Sequence, residues 1–233
     1  MINGYYDLGE TTEAKFIKRL NRFVATVELN GNLTEVHVAN TGRMGELLYN
    51  GARVWLKKAD NLKRKLAYDL LLSEYAGRKI CLNAHLANDF LARWLDMGYL
   101  DEFREYLHYR REYCFRESRF DFLLENENAQ KLLLEVKSVN YLLGDKAIFP
   151  DAPTERGCRH LEELAAWQRE GLGKSAVVFV VMGHDAQSFR TNEATDPLFA
   201  QTLRAVQEEG VEVLVYKSRI IGNKVYFDGK IDY

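Results

Sequence analysis

In the first third of the chain, apolar residues alternate with polar ones in short runs at 22–29, 33–39, 54–57, 66–74 and 79–82, the period of half-buried β-strands. The first two runs flank Asn30-Gly31-Asn32, a hairpin signal, because Asn and Gly tolerate the positive φ that tight turns need. Five short strands punctuated by Gly42, Gly45, Gly51 and Gly77 predict a small Greek-key barrel of the oligonucleotide-binding kind, although a five-stranded sheet of another type fits the same runs.

From His85 the period changes. Leu86, Phe90, Leu91, Trp94 and Leu95 recur at helical spacing as far as Gly98. Three β-like runs follow at 109–115, 118–124 and 131–139, then a loop with Pro150 and Pro153 and a helix over about 155–170. The unbroken apolar run 176–182 predicts a buried central strand, Asp196-Pro197 opens a further helix to 209, and 211–216 predicts one more strand. Helix, three-strand meander, helix, strand, helix, strand makes an α/β sandwich with a mixed sheet. The expected organisation is therefore two domains, an OB-fold-like β-barrel over 1–82 and an α/β sandwich over 83–233.

The composition, 47% hydrophobic and 28% charged, is that of a folded globular chain and excludes collagen-like and disordered classes. No apolar stretch reaches the length of a membrane span, and Met1-Ile2-Asn3-Gly4-Tyr5 lacks the shape of a signal peptide, so a cytoplasmic protein without a membrane partner is expected. Cys81, Cys114 and Cys158 are odd in number and show no CxxC spacing; buried reduced thiols are expected rather than disulfides or a zinc site. The net charge of −2 is unevenly spread, since residues 1–82 carry 13 Lys and Arg against 9 Asp and Glu. Lys15, Lys18, Arg19 and Arg22 form one basic group, and Arg53, Lys57, Lys58, Lys63, Arg64 and Lys65 another, interleaved with Phe16, Phe23, Trp55 and Tyr68. Such a pattern suits a nucleic acid's phosphates and bases, and equally a solvated charged face.

The residues with chemistry are Asp121 in Ser118-Arg119-Phe120-Asp121-Phe122, and Glu135 and Lys137 in Leu133-Leu134-Glu135-Val136-Lys137-Ser138. A hairpin symmetric about Asn128 sets Asp121 opposite Glu135, with Cβ atoms roughly 5 Å apart. Neither lies in a charged run, and at an effective dielectric of ~20 two carboxylates at that separation repel by roughly 3 kcal/mol. A proton neutralises such a pair, but converging hard oxygens without His or Cys are the ligand set of Mg²⁺ or Mn²⁺. Lys137, two residues on, shares the face of Glu135 and reaches a metal-held water or the phosphate it attacks. A tight turn at 115–118 sets Glu112 near Asp121 as a further carboxylate. The plain alternative is an ion-paired cluster within the sheet.

Asp followed by Glu-x-Lys on the next strand resembles the nuclease motif PD-(D/E)xK. With it, Val38-Ala39-Asn40-Thr41-Gly42-Arg43-Met44, Glu135-Val136-Lys137-Ser138-Val139, Phe149-Pro150-Asp151-Ala152-Pro153-Thr154-Glu155-Arg156-Gly157, His160-Leu161-Glu162-Glu163-Leu164 and Asp196-Pro197 resemble the sugar fermentation stimulation protein family over nearly the whole chain. The resemblance implies a DNA-binding protein, with RNA as the alternative ligand, built of an oligonucleotide-binding barrel and a PD-(D/E)xK nuclease-like domain. It implies Asp121 and Glu135 as metal ligands, the Val136 carbonyl as a third and Lys137 as the electrostatic catalyst. Asn40, Arg43, Lys57, Lys58, Arg119, Arg156 and His160 are the expected nucleic-acid contacts, with Asp151 and Glu163 candidates for the cleft. Arg116-Glu117 stands where the family usually has Gly-Asn. A Mg²⁺-dependent nuclease is the leading expectation; a non-catalytic DNA-binding regulator and a docking module for protein or saccharide are the alternatives, and a homo-oligomer is compatible with each.

Overall fold

The computed structural model describes residues 4–61 and 63–233. Its elements are β1 (Tyr6–Asp7), β2 (Thr12–Asn21), β3 (Val24–Leu29), β4 (Asn32–His37), β5 (Arg53–Lys58), β6 (Tyr68–Tyr75), β7 (Arg78–Cys81), α1 (Leu86–Asp96), β8 (His108–Phe115), β9 (Ser118–Glu125), β10 (Lys131–Val139), β11 (Tyr141–Leu143), β12 (Lys146–Phe149), α2 (Glu155–Arg169), β13 (Lys174–Val181), β14 (Ser188–Thr191), α3 (Pro197–Glu208), β15 (Glu212–Ile221) and β16 (Lys224–Lys230).

The barrel runs β4-β3-β2-β5-β6, and a β6 to β4 pairing closes it, with β7 added outside the ring by its hairpin to β6. The β3–β4 turn is the two-residue Asn30-Gly31, both at positive φ (51° and 79°), so the strands keep their right-handed twist. The ring includes β2, which the sequence hides: its inward residues Ala14 and Phe16 alternate with Lys15, Lys18 and Arg19, and the charges mask the period. Phe16 and Trp55 are buried, so neither is a platform for base stacking, whereas Phe23 is 48% exposed. Arg19 donates to the carbonyls of Asn40 (2.6 Å), Gly42 (2.5 Å) and Arg22 (2.7 Å). Its guanidinium thus holds the loop after β4 in place.

The second unit is a seven-stranded mixed sheet, β1-β16-β15-β13-β10-β9-β8, in which β10, β13 and β15 run parallel. α2 and α3 cover one face over a core that includes Leu133, Phe179, Leu161 and Leu203. On the other face, α1 packs over a core of Phe90, Trp94, Phe122 and Leu134, which also takes in Trp55, Leu71 and Leu72 from the barrel strands. Barrel and sandwich thus share apolar interior. Although β1 lies within 1–82, it pairs with β16 and belongs to the large sheet. Cys81 and Cys158 are buried, while Cys114 is exposed, contrary to the expectation of three buried thiols. Among the described residues no helix is long and apolar enough to cross a bilayer.

Candidate active site

The expected hairpin register is present. Glu125 pairs with Lys131 and Phe122 with Leu134, and continuing the same count sets Asp121 opposite Glu135. Leu133 contributes to the core beneath α2, so Glu135, two residues along, faces that side as well, whereas Asp121 sits where the alternation of β9 breaks, Phe120 and Leu123 both reaching that core. There the ladder parts: the Val136 N–H donates to Asp121 Oδ2 (2.7 Å), not to a β9 carbonyl. The strands open into a cavity of about 390 Å³ that Asp121, Glu135, Val136 and Lys137 line together with the barrel loop at Asn40 and Gly42.

Each carboxylate is held in place. Asn88 of α1 donates to Asp121 Oδ1 at 2.5 Å. Glu135 Oε1 accepts from Lys137 Nζ (2.7 Å) and meets His160 Nδ1 of α2 (2.5 Å), while the Arg156 Nε–H donates to His160 Nε2 (3.1 Å). With Nε2 accepting from Arg156, Nδ1 is the nitrogen that donates to Glu135. Burial pushes Asp121 up to about 7, and the neighbouring Glu135 charge adds to this. Burial also opposes ionisation of Glu135, but the Lys137 charge and the His160 hydrogen bond outweigh it and hold this carboxyl below its ordinary value. The pair is thus pulled apart, one carboxylate firmly charged and its neighbour close to half-protonated at neutral pH. Glu135 Oε2 is buried and has no hydrogen-bond partner, an arrangement that disfavours folding unless a cation or water takes it up.

The remaining expected residues separate into three groups. Asn40 and Arg156 line the cavity, as does Asp151, while His160 stands behind it against Phe120. Asn40 has a scaffold role, since its amide donates to Leu82 O (3.0 Å) and Asn140 Oδ1 (3.2 Å). Asp151 accepts the backbone N–H groups of Arg43 and Met44, and a Cβ on Gly42 would collide with its carboxylate. Arg43 borders a neighbouring hollow. The others are not brought together. The residues on either side of Glu112 keep the expected register with β9, but Glu112 sits at φ 58° and has no partner of its own in that ladder, and its carboxylate is half-exposed and paired with Arg119 Nε (2.6 Å). The left-handed turn takes Glu112 away from the other two acids and Arg119 with it. Lys57 and Lys58 border a separate hollow with Tyr6 and Arg64. Glu163 is buried one turn beyond His160, with Oε2 unpartnered, and does not line the cavity. Among the described residues no three His, Cys, Asp or Glu side chains converge on one point.

Sequence reasoning missed Asn88, Ser138 and Asn140. Asn88 lies three residues before Leu91 in an amphipathic helix, a position that reads as ordinary helix surface until the fold sets it over Asp121. Ser138 and Asn140 follow the Glu-x-Lys directly; Ser138 Oγ donates to Asn140 Oδ1 at 3.0 Å, and the polar run past Lys137 was the available signal.

The molecule is therefore of the class that joins an oligonucleotide-binding type of barrel to an α/β sandwich, with an acid–acid–lysine cluster on the sandwich sheet that opens towards the barrel loop. A family model described as "SfsA N-terminal OB domain" matches residues 17–82, and one described as "Sugar fermentation stimulation protein RE domain" matches 85–224. The chain belongs to the sugar fermentation stimulation protein (SfsA) family. A sugar fermentation stimulation protein homolog of Acetivibrio thermocellus is 42% identical over 213 residues, covering 91% of each chain. One of Alkaliphilus metalliredigens is 36% identical over 228 residues, covering 97% of this chain and 98% of that one. A solved structure of Pyrococcus furiosus SfsA in complex with Ca²⁺ is similar at a TM-score of 0.91, with 25% identity and 97% of each chain covered.

Proposed function

We propose that the protein is a DNA-binding phosphodiesterase that uses Mg²⁺ or Mn²⁺ to hydrolyse nucleic acid at the Asp121–Glu135–Lys137 cluster. The observation that carries this reading is Glu135 Oε2, buried and unpartnered on a residue that lines the same cavity as Asp121. Asp121 and Glu135 would hold the cation. The Val136 carbonyl is the third donor, because the N–H and C=O of one strand residue point to the same side and the N–H already faces Asp121. Waters complete such a site, as Mg²⁺ commonly takes only one or two carboxylates from a protein. A divalent ion bound there would polarise a phosphoryl oxygen and lower the pKa of an attacking water. The relative solved with Ca²⁺, another oxygen-seeking cation, supports a divalent site.

The chain's own groups do the rest. His160, itself held by Arg156, fixes the Glu135 rotamer through Oε1 and leaves Oε2 for the cation. Asn88 fixes Asp121 in the same way. Lys137, side chain 14% exposed, has its ammonium where negative charge builds up on the phosphorane-like transition state. Lys137→Ala is expected to reduce Mg²⁺-dependent cleavage of labelled DNA or RNA by at least about a hundredfold, the scale of one lost electrostatic contact, while gel-shift affinity in chelator stays within about threefold. Undiminished cleavage in that variant overturns the assignment. A second reading, a DNA-binding regulator without turnover, draws on the engagement of Lys137 with Glu135 Oε1, and predicts salt-sensitive binding with no cleavage in either metal.

A further inference from the structure

Beside the catalytic cavity lies a larger hollow of about 700 Å³, and the two meet at Tyr141, Ile148 and Asp151, which line both. The floor of this second hollow is a small sheet of β11, β12 and β14 that the sequence did not announce. Tyr141 pairs with Ile148 and Ile148 with Arg190, so all three share one face, and Lys146, two residues before Ile148, shares it too. Arg43, from the barrel loop, borders the hollow from the other side. Arg43 and Arg190 are exposed and Lys146 is half-buried; among the described residues none of the three enters an ion pair, although most arginines here do. The acids nearby are otherwise engaged: Glu193 pairs with Arg204, Asp151 takes two backbone N–H groups, and burial pushes Glu46 towards its neutral form.

Three cations without counter-charges, an aromatic ring and a direct opening onto the reacting groups are what a nucleic acid backbone needs as it leaves a hydrolytic centre. The tie between the barrel loop and Asp151 falls where the two hollows join, so a strand running from one into the other passes beside it. The catalytic cavity, at about 390 Å³, is of the size that holds a small-molecule ligand and is too small for a stretch of duplex. We infer that the substrate is a single strand, whose reacting nucleotide enters the catalytic cavity and whose flanking phosphates lie across Arg43, Lys146 and Arg190. This rests on the proposed hydrolytic site for the identity of the ligand, but not for the groove itself.

Binding in chelator separates the two. Fluorescence anisotropy would compare a labelled strand of about a dozen nucleotides, as DNA and as RNA, with the blunt duplex of the same sequence, for the intact chain and for R43Q/K146Q/R190Q. At least one of the single strands is expected to bind at least tenfold tighter than the duplex. The triple variant should remove that margin and reduce the log–log salt slope by about 2, three phosphates at ~0.7 each. R104Q/K174Q, two exposed cations that line neither hollow, serves as the control and should stay within twofold of the intact chain. Should the triple variant melt early, the three single variants, each losing about 0.7 of slope, carry the test. Duplex binding at parity, which points to a flipped nucleotide, or a triple variant with wild-type affinity and slope, overturns the inference. Absence of cleavage with the groove effect intact sinks the hydrolytic reading alone, and Lys137-dependent cleavage with an indifferent groove sinks this one alone.

Discussion

Asp121 and Glu135 are instructive because they are chemically alike and environmentally opposed. Glu135 is buried and Asp121 partly so, yet only Glu135 has a lysine and a histidine on its carboxylate, so it is the one that stays charged, and Asp121 rises to about 7 beside it. An arriving divalent cation relieves the repulsion between them and the unpartnered Glu135 Oε2 at once. Mn²⁺ at about a hundred times its dissociation constant should therefore stabilise the protein by about 2.7 kcal/mol, roughly 5–10 °C in Tm for a chain of this size, reversed by chelator. Glu135→Gln should lose that shift. Differential scanning fluorimetry decides the matter, and an equal Mn²⁺ shift in the variant would refute the ligand assignment. At this scale the sequence was legible for Asp121, Glu135 and Lys137, because strand period and hairpin symmetry are local rules. It was silent on Asn88 and misleading on Glu112: a register count fixes which residue stands opposite, but the left-handed φ of 58° at Glu112 decides where its side chain goes.

Among the elements, α2 and α3 begin at a shared anchor. Asp196 Oδ1 caps α3 by accepting from Phe199 N (3.0 Å), and Oδ2 accepts from Thr154 N (2.8 Å), the residue that caps α2 through Gly157 N. α2 carries Arg156 and His160 into the site, so its start sets their positions. Asp196→Ala removes a helix cap and strands the Thr154 amide, and each loss costs about 1 kcal/mol. A drop of about 2 kcal/mol, or roughly 4–8 °C in Tm, is the expected outcome by calorimetry. Asp196→Asn should recover a good part of it by keeping one acceptor. Asp196-Pro197 announced α3 plainly in sequence, and α2 was read to within a residue, because helix period and caps are short-range. The strands β11, β12, β14 and β16 went unseen: three to seven residues long and half-buried, they take their pairing from distant partners such as Ile148 with Arg190. The Arg116-Glu117 turn kept its hairpin without the expected Gly-Asn, as Arg116 adopts φ 50° itself and its guanidinium is anchored on Glu170 at 2.5 Å.

The whole molecule depends on how barrel and sandwich are joined, since the cleft has walls from both. Asn140, just past β10, is the meeting point: its amide donates to Cys81 O, its Oδ1 accepts from Asn40, and its carbonyl accepts from His184 Nε2 (2.8 Å). His184 is buried and packs edge-on against Tyr75 of β6 in the barrel (5.6 Å). Burial lowers its pKa to about 4, and the charge of Arg78 pushes the same way, against the Asn140 carbonyl bond. A histidine at about 4 when folded and at about 6.5 when unfolded binds its proton better in the unfolded chain. Its contribution to stability is therefore complete above pH 6.5 and is lost as pH falls from there through 4, a difference of about 3 kcal/mol at most. Carboxylates titrate in the same window, so the informative quantity is the comparison with His184→Gln, which keeps a donor for Asn140 but has no proton to gain. Denaturant unfolding at pH 7.5 and pH 4 should show the intact chain losing roughly 2–3 kcal/mol more than the variant. Equal losses would mean that His184 is not the acid-sensitive element of the junction. The loss should also be visible in function, because a charge on His184 is disfavoured by its burial at the junction rather than by its bond to Asn140, so protonation favours opening of the junction that holds the barrel loop over the site.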